Sequence, residues 1–199
     1  MSNKPIIIVA GEPYSVFLEI LFKSIKKNIF TKPIILIVSQ ELFTGQMKAL
    51  NYNIDFNIID EKKISFKILS KTKINIINVD LTFKNIFDKI SNNSKNYIEK
   101  SFMIALNLIK KNECAGIING PISKKHFLAG KYLGITEYLA SKMNKKNKVA
   151  MLIFNKNLSV SPITTHIPLK NVHKELSKKK IINHVKLIKE FYKKRYKRN

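Results

Sequence analysis

Short, wholly apolar runs that end in a turn and give way to a helical pattern constrain this chain more than any other feature. Residues 6–10, Ile-Ile-Ile-Val-Ala, form such a run, closed by Gly11-Glu12-Pro13. A strand apolar at every position is buried on both faces, as in a parallel sheet covered by helices. Val16, Phe17, Ile20, Leu21 and Ile25 then share one helical face. The strand pattern returns at 34–38 and the helical one at 41–50, where Leu42, Phe43, Met47 and Leu50 group together. Residues 55–59 and 74–79 read as short strands, with a polar, irregular stretch at 60–73 between them. The clearest helix is 95–111, where Ile98, Phe102, Ala105, Leu106 and Ile109 recur at helical spacing. A strand at 116–119 runs into the Gly120-Pro121 turn, and short helices are expected at 123–129 and 137–143. Residues 149–154 and 158–163 are expected to be neighbouring strands around Asn155-Lys156-Asn157. Residues 178–196 read as an amphipathic helix with a basic outer face. This alternation predicts an α/β fold, a mainly parallel sheet flanked by helices.

Composition narrows the function classes. No apolar run approaches a membrane span. The run after Met1-Ser2-Asn3-Lys4 is too short for a signal-peptide core, so a cytoplasmic protein is expected. The single cysteine, Cys114, excludes an internal disulfide and a CxxC zinc pattern. The formal charge is +24, from 37 Lys+Arg against 13 Asp+Glu. Such a charge raises the reading of a nucleic-acid partner. Against it, only Arg195 and Arg198 are arginines, the lysines are scattered through every segment, and Lys, Ile and Asn are abundant together. Readers of bases favour the bidentate arginine fork, so nucleic acid is not the expected partner.

Three turns at the ends of expected strands are candidates for chemistry, because open α/β sheets place ligands there. Gly11-Glu12-Pro13-Tyr14-Ser15 could turn backbone N–H groups toward an anion, but GxGxxG is absent. In Asn119-Gly120-Pro121-Ile122-Ser123-Lys124, the Gly-Pro pair fixes a turn and Lys124 could meet a phosphate or carboxylate. In Thr164-Thr165-His166-Ile167-Pro168-Leu169, His166 could ligate a metal or move a proton. The other histidines are His126, His173 and His184, and no HxxxH or HExxH pair occurs. A catalytic site of the zinc type takes three protein ligands, so His166 has no local partner.

These turns, with Gly134-Ile135-Thr136-Glu137-Tyr138, resemble in order four motifs of the 4-hydroxythreonine-4-phosphate dehydrogenase family of pyridoxal phosphate biosynthesis. Gly11-Glu12-Pro13 with Glu19 resembles the family's opening motif, and Gly120-Pro121-Ile122-Ser123-Lys124 its Gly-Pro turn. Gly134–Tyr138 is similar to its G-H-T-E-[FY] motif, and Thr164–Leu169 to T-T-H-[LI]-P-L. The resemblance implies a two-domain α/β dehydrogenase of isocitrate/isopropylmalate dehydrogenase-like architecture, with its active site at a homodimer interface. It implies that residues 1–199 are the N-terminal part and that the C-terminal portion is absent. By position, His166 corresponds to the first of three metal-binding histidines and Thr136 to a substrate-contacting threonine. The other two histidines, the phosphate-binding basic residues and much of the NAD site would belong to the absent part. Two departures stand out. Ile135 occupies the place of a substrate-contacting histidine and cannot hydrogen-bond. Ser15 and Phe17 stand where two glycines are usual.

The reaction so implied is NAD-dependent oxidation of 4-phosphooxy-threonine, a small phosphorylated hydroxy-amino acid, assisted by a divalent metal ion (Zn, Mg or Co). Decarboxylation of the β-keto acid would follow. The residues also admit three other readings: a related dehydrogenase acting on phosphothreonate, to which Ile135 gives weight, a non-catalytic truncated remnant, and a basic nucleic-acid-binding protein.

Overall fold

In a computed structural model, which describes residues 4–27, 30–66, 68–146, 148–155 and 157–196, the first apolar run forms strand β1 (Ile6–Val9). Met1–Asn3, Lys156 of the expected hairpin turn, and Lys197–Asn199 of the terminal basic string lie outside the described residues. Strand β1 leads to helix α1 (Phe17–Lys27), then β2 (Ile34–Val38), α2 (Gln40–Ala49), β3 (Phe56–Ile58) and β4 (Ile74–Asn78). Helix α3 (Lys95–Lys110) then crosses to β5 (Gly116–Asn119). These strands form one sheet in the order β3-β4-β2-β1-β5, with every neighbouring pair parallel. Ile8 pairs with Leu36 on one side and with Ile118 on the other.

Alternation along the strands assigns each residue to a face. Ile8, Ala10, Leu36, Val38 and Ile76 belong to one buried cluster with Leu18, Leu21 and Phe22 of α1 and Phe43 and Met47 of α2. Phe22 meets Phe43 edge-on, with centroids 5.2 Å apart. The intervening residues Ile7, Val9, Ile35 and Ile37 are also buried, and α3 lies against β1, β2 and β5. Strand β2 is buried throughout, as its unbroken apolar sequence requires. Helix α2 is started by Ser39, whose side chain accepts from the N–H of Leu42. It is stopped by the left-handed Asn51, at φ 56°.

The chain divides into two compact units, Met1–Ala129 and Gly130–Asn199. The second unit carries α4 (Ile135–Lys142), the single turn α5 (Val172–Glu175) and α6 (Lys178–Tyr196). Here two expectations are corrected. The strands expected at 149–154 and 158–163 reduce to one antiparallel bridge, Ile153↔Val160, among the described residues. Ile153 and Val160 are more than half exposed. With no third strand beside it among the described residues, and with the face that carries Ile153 and Val160 uncovered, a two-stranded pair is marginal and does not propagate. His166 therefore follows irregular chain rather than a strand. Helix α6 forms over the expected residues, yet Ile181, Ile182 and Val185 of its apolar stripe remain substantially exposed. The segment at 123–129 forms a π-helical turn, Lys124–Leu128, closed by left-handed Ala129.

Candidate active site

The strand order reverses around β1, because the chain leaves β1 toward β2 but later returns to its other side as β5. A crevice outside the carboxyl ends of β1 and β5 is where such sheets bind ligands. Two of the three expected turns meet there. The N–H of Gly120 donates to the carbonyl of Val9 (2.7 Å), and the N–H of Glu12 donates to the carbonyl of Pro121 (2.8 Å). A Cβ on Gly120 would stand 2.1 Å from the carbonyl oxygen of Ala10, and one on Gly11 2.3 Å from that of Pro121. Gly11 also has φ +76°, which other residues adopt at a cost. Backbone presses on backbone at this point, which explains both glycines.

Glu12 is almost fully buried beside this junction. Its Oε1 accepts from the hydroxyl of Ser94 (2.8 Å), while Oε2 has no hydrogen-bond partner among the described residues. Burial pushes its carboxyl above the ordinary glutamate range, opposed by the Ser94 hydrogen bond and by the charge of His126. His126 is held by Asn92, with Nδ1 2.9 Å from Oδ1. Glu19 of the same motif faces outward and pairs with Lys23. Lys124 is exposed on the π-helical turn.

The third turn belongs to the second unit and meets a different motif. Gly134 precedes α4 in extended conformation and offers no side-chain cap. Its missing side chain leaves space into which two groups point. A Cβ there would lie 2.9 Å from Glu137 Oε2 and 3.5 Å from His166 Nε2. The motifs carrying Thr136 and His166 are thus brought together, although their residues are 30 positions apart. Both residues, with Glu137 and Thr165, line one cavity of about 860 Å³ within this unit. His166 is exposed and has φ +58°, a left-handed conformation that costs about 1–2 kcal/mol for a residue with a side chain. Such backbone strain concentrates at functional positions.

Opposite, α6 supplies Lys179, Lys180, Asn183 and His184 to the cavity wall. The hydroxyl of Ser161 donates to the carbonyl of Met151, so its oxygen is left to accept from His184 Nε2, 2.6 Å away. Neither Glu137 nor His184 was singled out from sequence. Glu137 did lie inside a matched motif, but His184 carried no local signal. As for a metal, no group of three or more His, Cys, Asp or Glu that could hold one occurs among the described residues. His166 alone does not make a complete site.

Comparison with known proteins bears on both motifs. Residues 30–199 match the family described as pyridoxal phosphate biosynthetic protein PdxA. A 4-hydroxythreonine-4-phosphate dehydrogenase from Sulfurihydrogenibium sp. (strain YO3AOP1) is 31% identical over 192 residues, covering 95% of this chain and 58% of that protein. One from Colwellia psychrerythraea is 28% identical over 177 residues, covering 86% of this chain and 52% of that protein. The chain therefore spans somewhat over half the length of these relatives. A solved structure assigned as a 4-hydroxythreonine-4-phosphate dehydrogenase, from Salmonella typhimurium, superposes with a TM-score of 0.82 at 22% identity. It covers 96% of this chain and 59% of that one. At that identity the likeness establishes a shared fold.

Proposed function

Because the chain belongs to the PdxA family of pyridoxal phosphate biosynthetic proteins, we propose that its second unit holds part of the active site of a 4-hydroxythreonine-4-phosphate dehydrogenase. The observation that carries this reading is the convergence of Thr136 and His166 on one cavity. The substrate would be 4-phosphooxy-threonine, oxidised at its secondary alcohol, after which the β-keto acid loses CO₂. NAD, when bound, would take the hydride. A divalent ion (Zn, Mg or Co), when bound, would act as a Lewis acid on the alcohol oxygen. His166 would supply one ligand to it, the others coming from outside the described residues.

The chain's own residues bind and orient the substrate. Lys131, Lys146, Lys179 and Lys180 line the cavity and draw in a doubly charged phosphate. Thr136, in the first turn of α4, offers a hydroxyl beside N–H groups that no side chain caps. Those groups favour an anion at the same place. In this reading the enzyme is a cytoplasmic homodimer whose active site is shared between copies. No helix among the described residues is long and apolar enough to cross a membrane.

A second reading rests on Ile135, half-buried at the first turn of α4. It stands where the resemblance implies a substrate-contacting histidine, and that departure gives weight to phosphothreonate as substrate. Turnover of both compounds with NAD by a protein that holds the complete active site, followed as NADH absorbance, separates the two readings. Reduction with 4-phosphooxy-threonine is expected, and reduction with phosphothreonate alone would reject the leading assignment.

A further inference from the structure

We propose that Glu137 is a substrate-binding residue whose carboxylate receives the ammonium group of the phosphorylated hydroxy-amino acid. The proposal rests on the reading of the cavity given above. Glu137 is the third residue of α4. A glutamate there ordinarily turns back to the N–H of the residue before the helix. Here Oε2 is buried and makes no hydrogen bond among the described residues. It points instead over the bare Cα of Gly134, toward the space that His166 Nε2 also borders. A buried acceptor without a donor is costly, and such exceptions call for a missing partner.

The charge of the cavity says which partner fits. Among the described residues, Glu137 is the only carboxylate in a lining that includes Lys131, Lys146, Lys179 and Lys180. A cationic pocket with one acidic point complements a ligand with anionic groups and a single cation. A phosphorylated amino acid has that distribution, whereas its hydroxy analogue lacks the cation. Both an ammonium and a hydroxyl can donate to the carboxylate, but only the ammonium adds the attraction of opposite charges in a site shielded from water. Glu137 is therefore placed to select the amino compound.

The 199-residue chain, titrated by NMR with 4-phosphooxy-threonine and separately with phosphothreonate, tests this. The wild type is expected to bind the amino compound about tenfold more tightly. Glu137→Gln should lose that preference by weakening the amino compound alone. Gly134→Ala should do the same, because its Cβ displaces the flexible carboxylate while the extended backbone suits alanine. Equal wild-type affinities, or a Glu137→Gln loss shared by both ligands, would overturn the assignment of Glu137 while leaving the cavity a substrate site. Failure of both compounds to bind the wild type would overturn the reading of the cavity and the role of Glu137 with it.

Discussion

Replacing Gly120 or Gly11 by alanine probes the junction that holds the ends of β1 and β5 together. A Cβ on Gly120 would stand 2.1 Å from the carbonyl oxygen of Ala10 and 2.8 Å from its carbon. Ordinary contact would require the two backbones to part by more than 1 Å. That movement opposes the Gly120–Val9 and Glu12–Pro121 hydrogen bonds, at 2.7 and 2.8 Å. Overpacking costs about 1–3 kcal/mol and each weakened hydrogen bond about 1 kcal/mol. Gly120→Ala should therefore destabilise the first unit by about 3–5 kcal/mol. Gly11→Ala meets the carbonyl of Pro121 and also forces φ +76° on an alanine, for about 3–5 kcal/mol. Gly116 provides the control, since its Cβ would meet nothing within 4 Å. In a strand, Gly116→Ala should be neutral or stabilise by up to about 1 kcal/mol. Urea unfolding followed by circular dichroism measures all three. If Gly120→Ala and Gly11→Ala cost no more than Gly116→Ala, the two turns do not interlock and the account of this junction is wrong.

Three further outcomes are expected. Burial raises the Glu12 carboxyl, so the fold favours its protonated form, and the stability from that group is full below the ordinary glutamate pKa and lost as pH rises through the folded value. The unfolding temperature of the wild type relative to Glu12→Gln should accordingly fall with rising pH through that window and then level off, and a relative rise would contradict the burial argument. At the left-handed His166, His166→Gly should be about 1 kcal/mol more stable than His166→Ala, while both lose ligand binding; equal melting temperatures would mean that the backbone does not keep φ +58°. Phe102 is fully buried on α3 and stacks on Phe127 at 6.0 Å, so Phe102→Ala should cost about 3–5 kcal/mol in denaturant titration.

The sheet was legible because its strands are apolar at nearly every position, as at Ile34–Val38, and a strand buried on both faces has few alternatives. The hairpin at 149–163 misled for the converse reason. Its β-branched residues have strand propensity, but propensity acts through packing, and Ile153 and Val160 have little to pack against. His166 and Thr136 were found by motif, yet only the fold shows that they share a cavity. Glu137 was hidden because an acidic residue in the first turn of a helix is ordinary. What marks it is an oxygen over a glycine with no hydrogen-bond partner among the described residues, a relation that exists only in three dimensions. Likewise His184 reaches the cavity from α6, and nothing in its neighbours' sequence indicates that.

The four histidines offer site-specific reporters for the central claim, that 4-phosphooxy-threonine binds in the cavity of the second unit. His166 and His184 line it, whereas His126 lies in the first unit and His173 on the exposed turn α5. In imidazole NMR spectra recorded during titration with 4-phosphooxy-threonine, the account predicts saturable shifts of His166 and His184 while His126 and His173 stay in place. Saturable movement of His126 alone, or of none of the four, would contradict it.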